Sequence, residues 1–323
     1  MKLVTFSDLS QERAGAIIDG EVLDLMAAAE TLGFSNWRYG SVAGILAGGS
    51  EAMGMAREII DAAAGSKDIL RDKGLLRQRE QTQIIAPIPR PSLIMMAGSN
   101  YSKHSEEMGG STALKEPHGF IKASGCVIGT GSPIVLPPAA PDMVDYEGEL
   151  AVIFGKTAYN VQESEAMDYV AGYMCCNDVS ARDWISEFDA WREDPTISYE
   201  AFSDPGTKNM RYKSFPTFMP CGPALVTADE VGDPHNLKLL TTVNGEIRQD
   251  TTTDMTFRIP KLIAYWSRIF EFKPGDILST GSPGGVGVAM NPPVFLKEGD
   301  VVTIEIEKLG SITNAVIAFD NNR

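Results

Sequence analysis

The segment Asp145-Tyr146-Glu147-Gly148-Glu149-Leu150, running on into Ala151-Val152-Ile153, constrains the fold more than any other stretch, because it sets carboxylates where a β-strand begins. Alternate side chains of a strand share a face, so Asp145, Glu147 and Glu149 are expected to point the same way. Like charges that close repel one another unless water or a cation neutralises them. Two readings are open. In one the carboxylates hold a divalent metal, and oxygen-only ligands then favour a hard ion such as Mg²⁺, Ca²⁺ or Mn²⁺ over Zn²⁺. In the other the segment is an acidic edge strand facing solvent.

A chain of 323 residues can bury a full core and is expected to hold one large domain with a smaller one. The formal charge of -15 argues against nucleic acid or an anionic membrane as partner, since phosphate binding is driven by Lys and Arg. It does not exclude a small anionic substrate, because screening acts within about 8 Å and a few local cations outweigh a distant excess. The start of the chain has no basic segment followed by a long apolar one, and no run approaches a membrane span, so a cytoplasmic location is expected. Cys175 and Cys176 are adjacent, which is poor material for a disulfide framework and fits a reducing compartment.

Short strands are expected around Leu3 to Phe6 and Ala14 to Ile18, with Asp19-Gly20 turning the chain into Glu21-Val22-Leu23. Helices are expected from about Leu25 to Leu32 and Glu51 to Ala64. The run Ile85-Ala86-Pro87-Ile88-Pro89-Arg90-Pro91 cannot continue a helix and reads as a linker or extended edge, which places a boundary between a small α/β domain, residues 1–85, and a second domain, residues 86–323. Beyond it, β-rich runs alternate with Gly and Pro turns, interrupted by a helix from Ile259 to Phe270. The class is α+β, mostly β. Regular strand-helix alternation is absent, so a doubly wound parallel sheet is not expected.

Other polar residues stand in suggestive settings. Asp178 follows the apolar run Tyr169 to Cys176 at a strand end, where an aspartate is commonly a cap or turn residue. His104 and Glu107 are three apart, so one helical turn sets them side by side; the carboxylate would then raise the imidazole's basicity and fix its tautomer, as a general base for water requires. An exposed polar turn is the plain alternative. Lys122 and Lys213 lie in apolar or β-like settings and by default are surface lysines. The loop Thr280-Gly281-Ser282-Pro283-Gly284-Gly285-Val286-Gly287 can bring backbone N–H groups to an anion but lacks the Gly-Lys-Ser/Thr of a nucleotide-binding P-loop.

Taken in order, these segments resemble the fumarylacetoacetate hydrolase superfamily, from about Pro87 to the C-terminus. The motifs are Gly98-Ser99-Asn100-Tyr101 with His104 and Glu107, Phe120-Ile121-Lys122, Asp145 to Leu150, and Asn177-Asp178-Val179-Ser180-Ala181-Arg182-Asp183. Lys213-Ser214-Phe215 through Pro220-Cys221-Gly222-Pro223, Val243-Asn244-Gly245-Glu246, and Pro274 to Pro283 complete the set. The resemblance implies a mixed β-sandwich roll, a homodimer, and a divalent metal, Mg²⁺ with Mn²⁺ or Ca²⁺ as substitutes, held by Glu147, Glu149 and Asp178, with Asp145 at a non-ligand position.

The chemistry the resemblance implies is cleavage of the C3–C4 bond of a 2,4-diketo acid, an acylpyruvate. Three ligand carboxylates and one divalent ion leave a charge of -1, which Lys213 would cancel so that a 2-keto acid can chelate. The metal, as a Lewis acid, would stabilise the pyruvate enolate, and His104, oriented by Glu107, would deprotonate the attacking water. Lys122 matches a lysine near the substrate oxygens, Arg182 an arginine that helps hold the substrate carboxylate, and Thr280 a loop threonine near the same group. The chain departs from the pattern at Ile185, where some members have glutamine, Pro216, where many have aspartate, and Gly284, where many have lysine. It also has a longer segment from Trp184 to Tyr212 whose aromatics Trp184, Phe188, Trp191, Tyr199 and Phe202 suit either a lid or a structural loop. The same metal chemistry serves 2-keto acid decarboxylases, isomerases and hydratases of catabolic pathways, and a catalytically silent metal-stabilised scaffold is a further class.

Overall fold

A computed structural model of the chain describes residues 1–9, 11–107, 114–184 and 210–320. Its largest element is a mixed sheet of 12 strands. The order across it is Leu76–Gln78, Glu21–Asp24, Gln11–Ile18, Lys2–Asp8, Met219–Thr227, Val170–Asn177, Gly148–Phe154, Ile277–Ser279, Ile94–Gly98 and His118–Ile121. Gln83–Ile85 and Val127–Ile128 pair off this path with Lys2–Asp8 and Met219–Thr227. A second sheet of five strands contains Glu246–Thr252, Lys238–Val243, Val301–Ile306, Gly310–Ala318 and Ile134–Leu136.

The acidic-apolar run forms an inner strand of the large sheet, not an edge. Gly148–Phe154 is buried at every position and pairs on both sides. Alternation splits its side chains between two cores. Leu150, Val152 and Phe154 face Leu239, Ile304 and Ile306 of the second sheet together with Ile259, Leu262 and Ile263 of the helix Ile259–Trp266, which makes the sandwich. Ala151 and Ile153 face the opposite core, shared with the N-terminal helices Leu25–Leu32 and Gly49–Ala64. Alternation puts Glu149 on that second face.

Residues 1–85 contain the expected strands and helices, and Asp19-Gly20 makes a tight hairpin turn with both residues at positive φ (48° and 86°). No break in the sheet marks the expected boundary at residue 85. Lys2 and Leu3 pair with Val226 and Leu225, and the Thr5 hydroxyl donates to the Pro87 carbonyl at 2.7 Å. Backbone pairing and a shared apolar core thus tie the N-terminal strands to the rest. Deleting residues 1–86 would bare the edge of Met219–Thr227 and the partners of the fully buried Leu3, so the fragment is expected to be insoluble. A soluble fragment beginning at Pro87 that melts cooperatively would contradict this.

All four cysteines are buried and free. Among the described residues, no helix is long and apolar enough to cross a membrane.

Candidate active site

The register of two neighbouring strands decides which side chains meet. Gly148 lies opposite Asn177 and Glu149 opposite Cys176, and the Asp178 N–H extends the ladder by donating to the Glu147 carbonyl at 2.9 Å. The Glu147 N–H donates to the Asn177 side-chain carbonyl, also at 2.9 Å. Glu147, Glu149 and Asp178 therefore converge, all buried, with one carboxylate oxygen from each within 4.8 Å of the others. Asp145 stands apart, contrary to the expectation of one shared face, because strand geometry is interrupted at Tyr146 and Glu147. Its carboxylate instead accepts from the Gly287 N–H at 2.8 Å, the Val288 N–H at 3.1 Å and Arg182 Nη2 at 3.0 Å. The anion seat of the 280–287 loop is thus used by the protein's own aspartate.

Buried cations accompany the carboxylates. Lys213 donates to Asp178 Oδ2 at 2.6 Å, lies 3.0 Å from Glu147 Oε1, and sits over the Phe120 ring. Lys122 donates to Asp178 Oδ1 and to the Val179 carbonyl. At 1% and 5% exposure, Lys122 and Lys213 are not the surface lysines that composition suggests; the carboxylates compensate their burial. Arg182, expected to hold a substrate carboxylate, bridges Asp145 and Glu147.

This pairing is uneven, and the titration behaviour follows it. Burial pushes the Glu147 carboxyl up, but Lys213 and Arg182 outweigh that and hold it well below the usual range. Burial lowers the Lys213 ammonium, yet Asp178 and Glu147 more than reverse this. Glu149 is the exception. Among the described residues it has no cationic partner, only the Ser279 hydroxyl, and burial followed by the charges of Asp178 and Glu147 pushes it well above the usual carboxylate range. A carboxylate so placed lacks a positive charge that a hard divalent cation between these oxygens supplies, so the donor set fits Mg²⁺, Mn²⁺ or Ca²⁺.

The short helix Ser102–Glu107 brings His104 to this group. The imidazole is buried, and burial drives its pKa below the ordinary histidine range against the raising effect of Glu147. Its Nδ1 has no hydrogen-bond partner among the described residues. Glu107 makes no hydrogen bond to it, although its charge raises the imidazole's pKa; its Oε2 accepts from the Gly285 N–H at 2.8 Å. The Thr280 hydroxyl donates to the Leu150 carbonyl at 3.0 Å, which pins the loop to the central strand. Ile185 and most of the Trp184 to Tyr212 segment, including Phe188, Trp191, Tyr199 and Phe202, lie outside the described residues.

Sequence reasoning missed Ser279, Asn177 and Asn100 as parts of this arrangement. Asn100 ties the start of the His104 segment to the Thr280 carbonyl at 2.8 Å and to the Phe257 N–H at 2.7 Å. All three lie inside the quoted motifs, but only strand register shows what they touch.

Residues 93–317 match the family model for the fumarylacetoacetate (FAA) hydrolase C-terminal domain. The chain belongs to the fumarylacetoacetate hydrolase family. A mitochondrial oxaloacetate tautomerase from Homo sapiens is 42% identical over 240 residues, 74% of this chain and 71% of that protein. One from Xenopus laevis is 37% identical over 322 residues, 98% of this chain and 90% of that protein, so the likeness extends through the N-terminal strands. Among solved structures, maleylpyruvate hydrolase from Sphingobium sp. SYK-6, in complex with manganese(II) and pyruvate, superposes with a TM-score of 0.72 at 28% identity, covering 99% of this chain and 100% of that one. The fumarylacetoacetate hydrolase fold and enzymatic character expected from the motifs therefore hold for this chain.

Proposed function

We propose that this fumarylacetoacetate hydrolase family enzyme interconverts the keto and enol forms of a short 2-keto dicarboxylic acid of the oxaloacetate type, with a divalent cation held by Glu147, Glu149 and Asp178. The observation that carries this reading is His104, a buried imidazole beside the carboxylate group whose Nδ1 has no hydrogen-bond partner among the described residues and to which Glu107 makes no hydrogen bond. Moving a proton between C3 and the C2 oxygen needs one base that is neutral at the working pH and a positive setting for the charge that collects on that oxygen. Neutral His104 takes the C3 proton and delivers it to the C2 oxygen, and runs the same transfer backward from enol to keto. Lys213 and Lys122 hold ammonium groups at the site, and Arg182 keeps Glu147 in place. A bound divalent cation supplies Lewis acidity toward the 2-keto acid. The two relatives named oxaloacetate tautomerases support this substrate class.

The second reading is C–C hydrolysis of an acylpyruvate, favoured by the whole-chain likeness to maleylpyruvate hydrolase. It asks more of the site, since water must be deprotonated by an imidazole that a carboxylate orients. The test mixes oxaloacetate with Mg²⁺-loaded and EDTA-treated protein and follows loss of enol absorbance, pyruvate and CO₂. Acetylpyruvate and maleylpyruvate are assayed for pyruvate release in parallel. Metal-dependent tautomer exchange without pyruvate release supports the proposal; cleavage of acylpyruvates with no effect on oxaloacetate tautomers overturns it in favour of hydrolysis. The homodimer belongs to the same proposal and is checked by light scattering.

A pH dependence follows from the burial of His104. Its folded pKa lies below that of the unfolded chain, about 6.5, so the neutral base persists and the rate is expected to hold below that pH before acid protonates the ring. The unfolded chain takes up the proton first, so this group's contribution to stability is present above the unfolded pKa and is lost as pH falls toward the folded one. A rate profile with its acid limb above the ordinary imidazole range would count against His104 as the base.

A further inference from the structure

We infer that Glu107 is a positioning residue that clamps the His104 helix to the backbone at Gly284-Gly285, and that Gly284 is required because it leaves room for the clamp. The inference rests on the reading of His104 as the proton carrier and assigns Glu107 a role other than orienting the imidazole.

The helix Ser102–Glu107 has only six residues and needs support at both ends. Its start is held firmly. The Asn100 side chain donates to the carbonyls of Phe257 and Thr280, its side-chain oxygen accepts from the Phe257 N–H, and the Ser105 hydroxyl donates to the Ser99 carbonyl. Among the described residues, the hydrogen bond holding its other end to the rest of the protein is the one from the Gly285 N–H to Glu107 Oε2. His104 adds no anchor of its own through Nδ1.

Gly284 makes this contact possible. A Cβ on residue 284 would lie 2.7 Å and 2.8 Å from the two Glu107 carboxylate oxygens, closer than such atoms approach, so with any larger residue the carboxylate must shift from its place on the Gly285 N–H. The departure from the lysine common at this position is thereby matched to the place of Glu107. The clamp also reaches the metal-ligand group. The Gly285 carbonyl accepts from the Tyr146 hydroxyl, the next N–H groups at Gly287 and Val288 hold Asp145, and Asp145 holds Arg182, which holds Glu147. One hydrogen-bonded loop therefore sets His104 and the ligand carboxylates relative to each other.

A clamp needs an acceptor, whereas a carboxylate that tunes an imidazole needs its charge. Glu107→Gln keeps an acceptor oxygen and removes the charge; Glu107→Ala removes both; Gly284→Ala leaves the residue and displaces it. Two measurements are made on each variant: hydrogen exchange of residues 101–107 and of the Gly285 amide in the metal-free protein, and kcat, KM and their pH profiles with Mg²⁺ and oxaloacetate. For Glu107→Ala and Gly284→Ala the expected result is faster exchange and a fall in kcat approaching the roughly 10²-fold that an ångström of misplacement costs. Their effects should not add in the double variant. Glu107→Gln should exchange slowly and stay within a few-fold of wild type, with its acid limb moved only toward lower pH, because the Glu107 charge raises the imidazole's pKa. Loss in Glu107→Gln as deep as in Glu107→Ala, or wild-type exchange in Gly284→Ala, overturns the clamp. The exchange data judge it even if the reaction is another one, while a His104→Ala variant with an undiminished rate would sink the functional reading and leave the exchange result standing.

Discussion

Glu149→Ala is expected to lose metal uptake and activity together and yet to give a metal-free protein at least as stable as the wild type. The first half follows from removing one of the three proposed anionic ligands, which weakens binding by more than the roughly 10–100-fold that losing a mere supporting group costs. The second half follows from the pairing at the site. Glu149 is buried, has no cationic partner among the described residues, and is pushed toward its neutral form by Asp178 and Glu147, so its deletion relieves an unfavourable burial. Glu147→Ala is the contrasting case. It takes from the buried Arg182 and Lys213 one of the two carboxylates each contacts, leaving them Asp145 and Asp178, so it should destabilise, but by less than the about 3–5 kcal/mol of a fully broken buried pair. Calorimetric Mg²⁺ titration and thermal melts with and without EDTA read both effects. In the wild type, metal at 100 times its Kd should add about 2.7 kcal/mol, an increment Glu149→Ala lacks. A Glu149→Ala protein that still binds Mg²⁺ with wild-type affinity would falsify the assignment of the site.

His104→Ala is expected to lose about 10²–10⁴-fold in rate, the usual worth of a general base, while Mg²⁺ affinity stays at the wild-type value. The two readouts separate because no hydrogen bond among the described residues joins His104 to the ligand carboxylates. Tautomer exchange and acylpyruvate cleavage are measured side by side, so the loss identifies which reaction the imidazole serves. Equal rates for His104→Ala and wild type, with oxaloacetate and acylpyruvates alike, would remove His104 from the mechanism.

The parts of the fold legible from the sequence were those that local pattern controls. Asp19-Gly20 marked its hairpin because few residue pairs accept positive φ in succession. The helices Leu25–Leu32 and Gly49–Ala64, the latter expected from Glu51, followed from Ala- and Met-rich composition, and the strand from Leu150 onward from its continuous apolar run. The expected boundary at residue 85 marked a change in composition and missed the pairing of Lys2–Asp8 with Met219–Thr227, which are more than 200 residues apart in sequence. Local composition carries no signal for such a partner.

The same division runs through the candidate site. By itself, the sequence determined which residues are candidates for the chemistry: the carboxylates of Glu147, Glu149 and Asp178, the imidazole of His104, and Lys122, Lys213 and Arg182 in recognisable motifs. Residue type and motif order are properties of the chain alone. Only the tertiary structure decided that Asp145 leaves the carboxylate group to bind Gly287, Val288 and Arg182, that the two lysines are buried against Asp178, that Glu149 has no cationic partner among the described residues, and that the Glu107 carboxylate bonds to Gly285 and not to His104. Each of these depends on strand register and on which buried charge finds a partner first. Those are set by packing between segments far apart in the chain, where an unpaired charge costs too much to be left to chance.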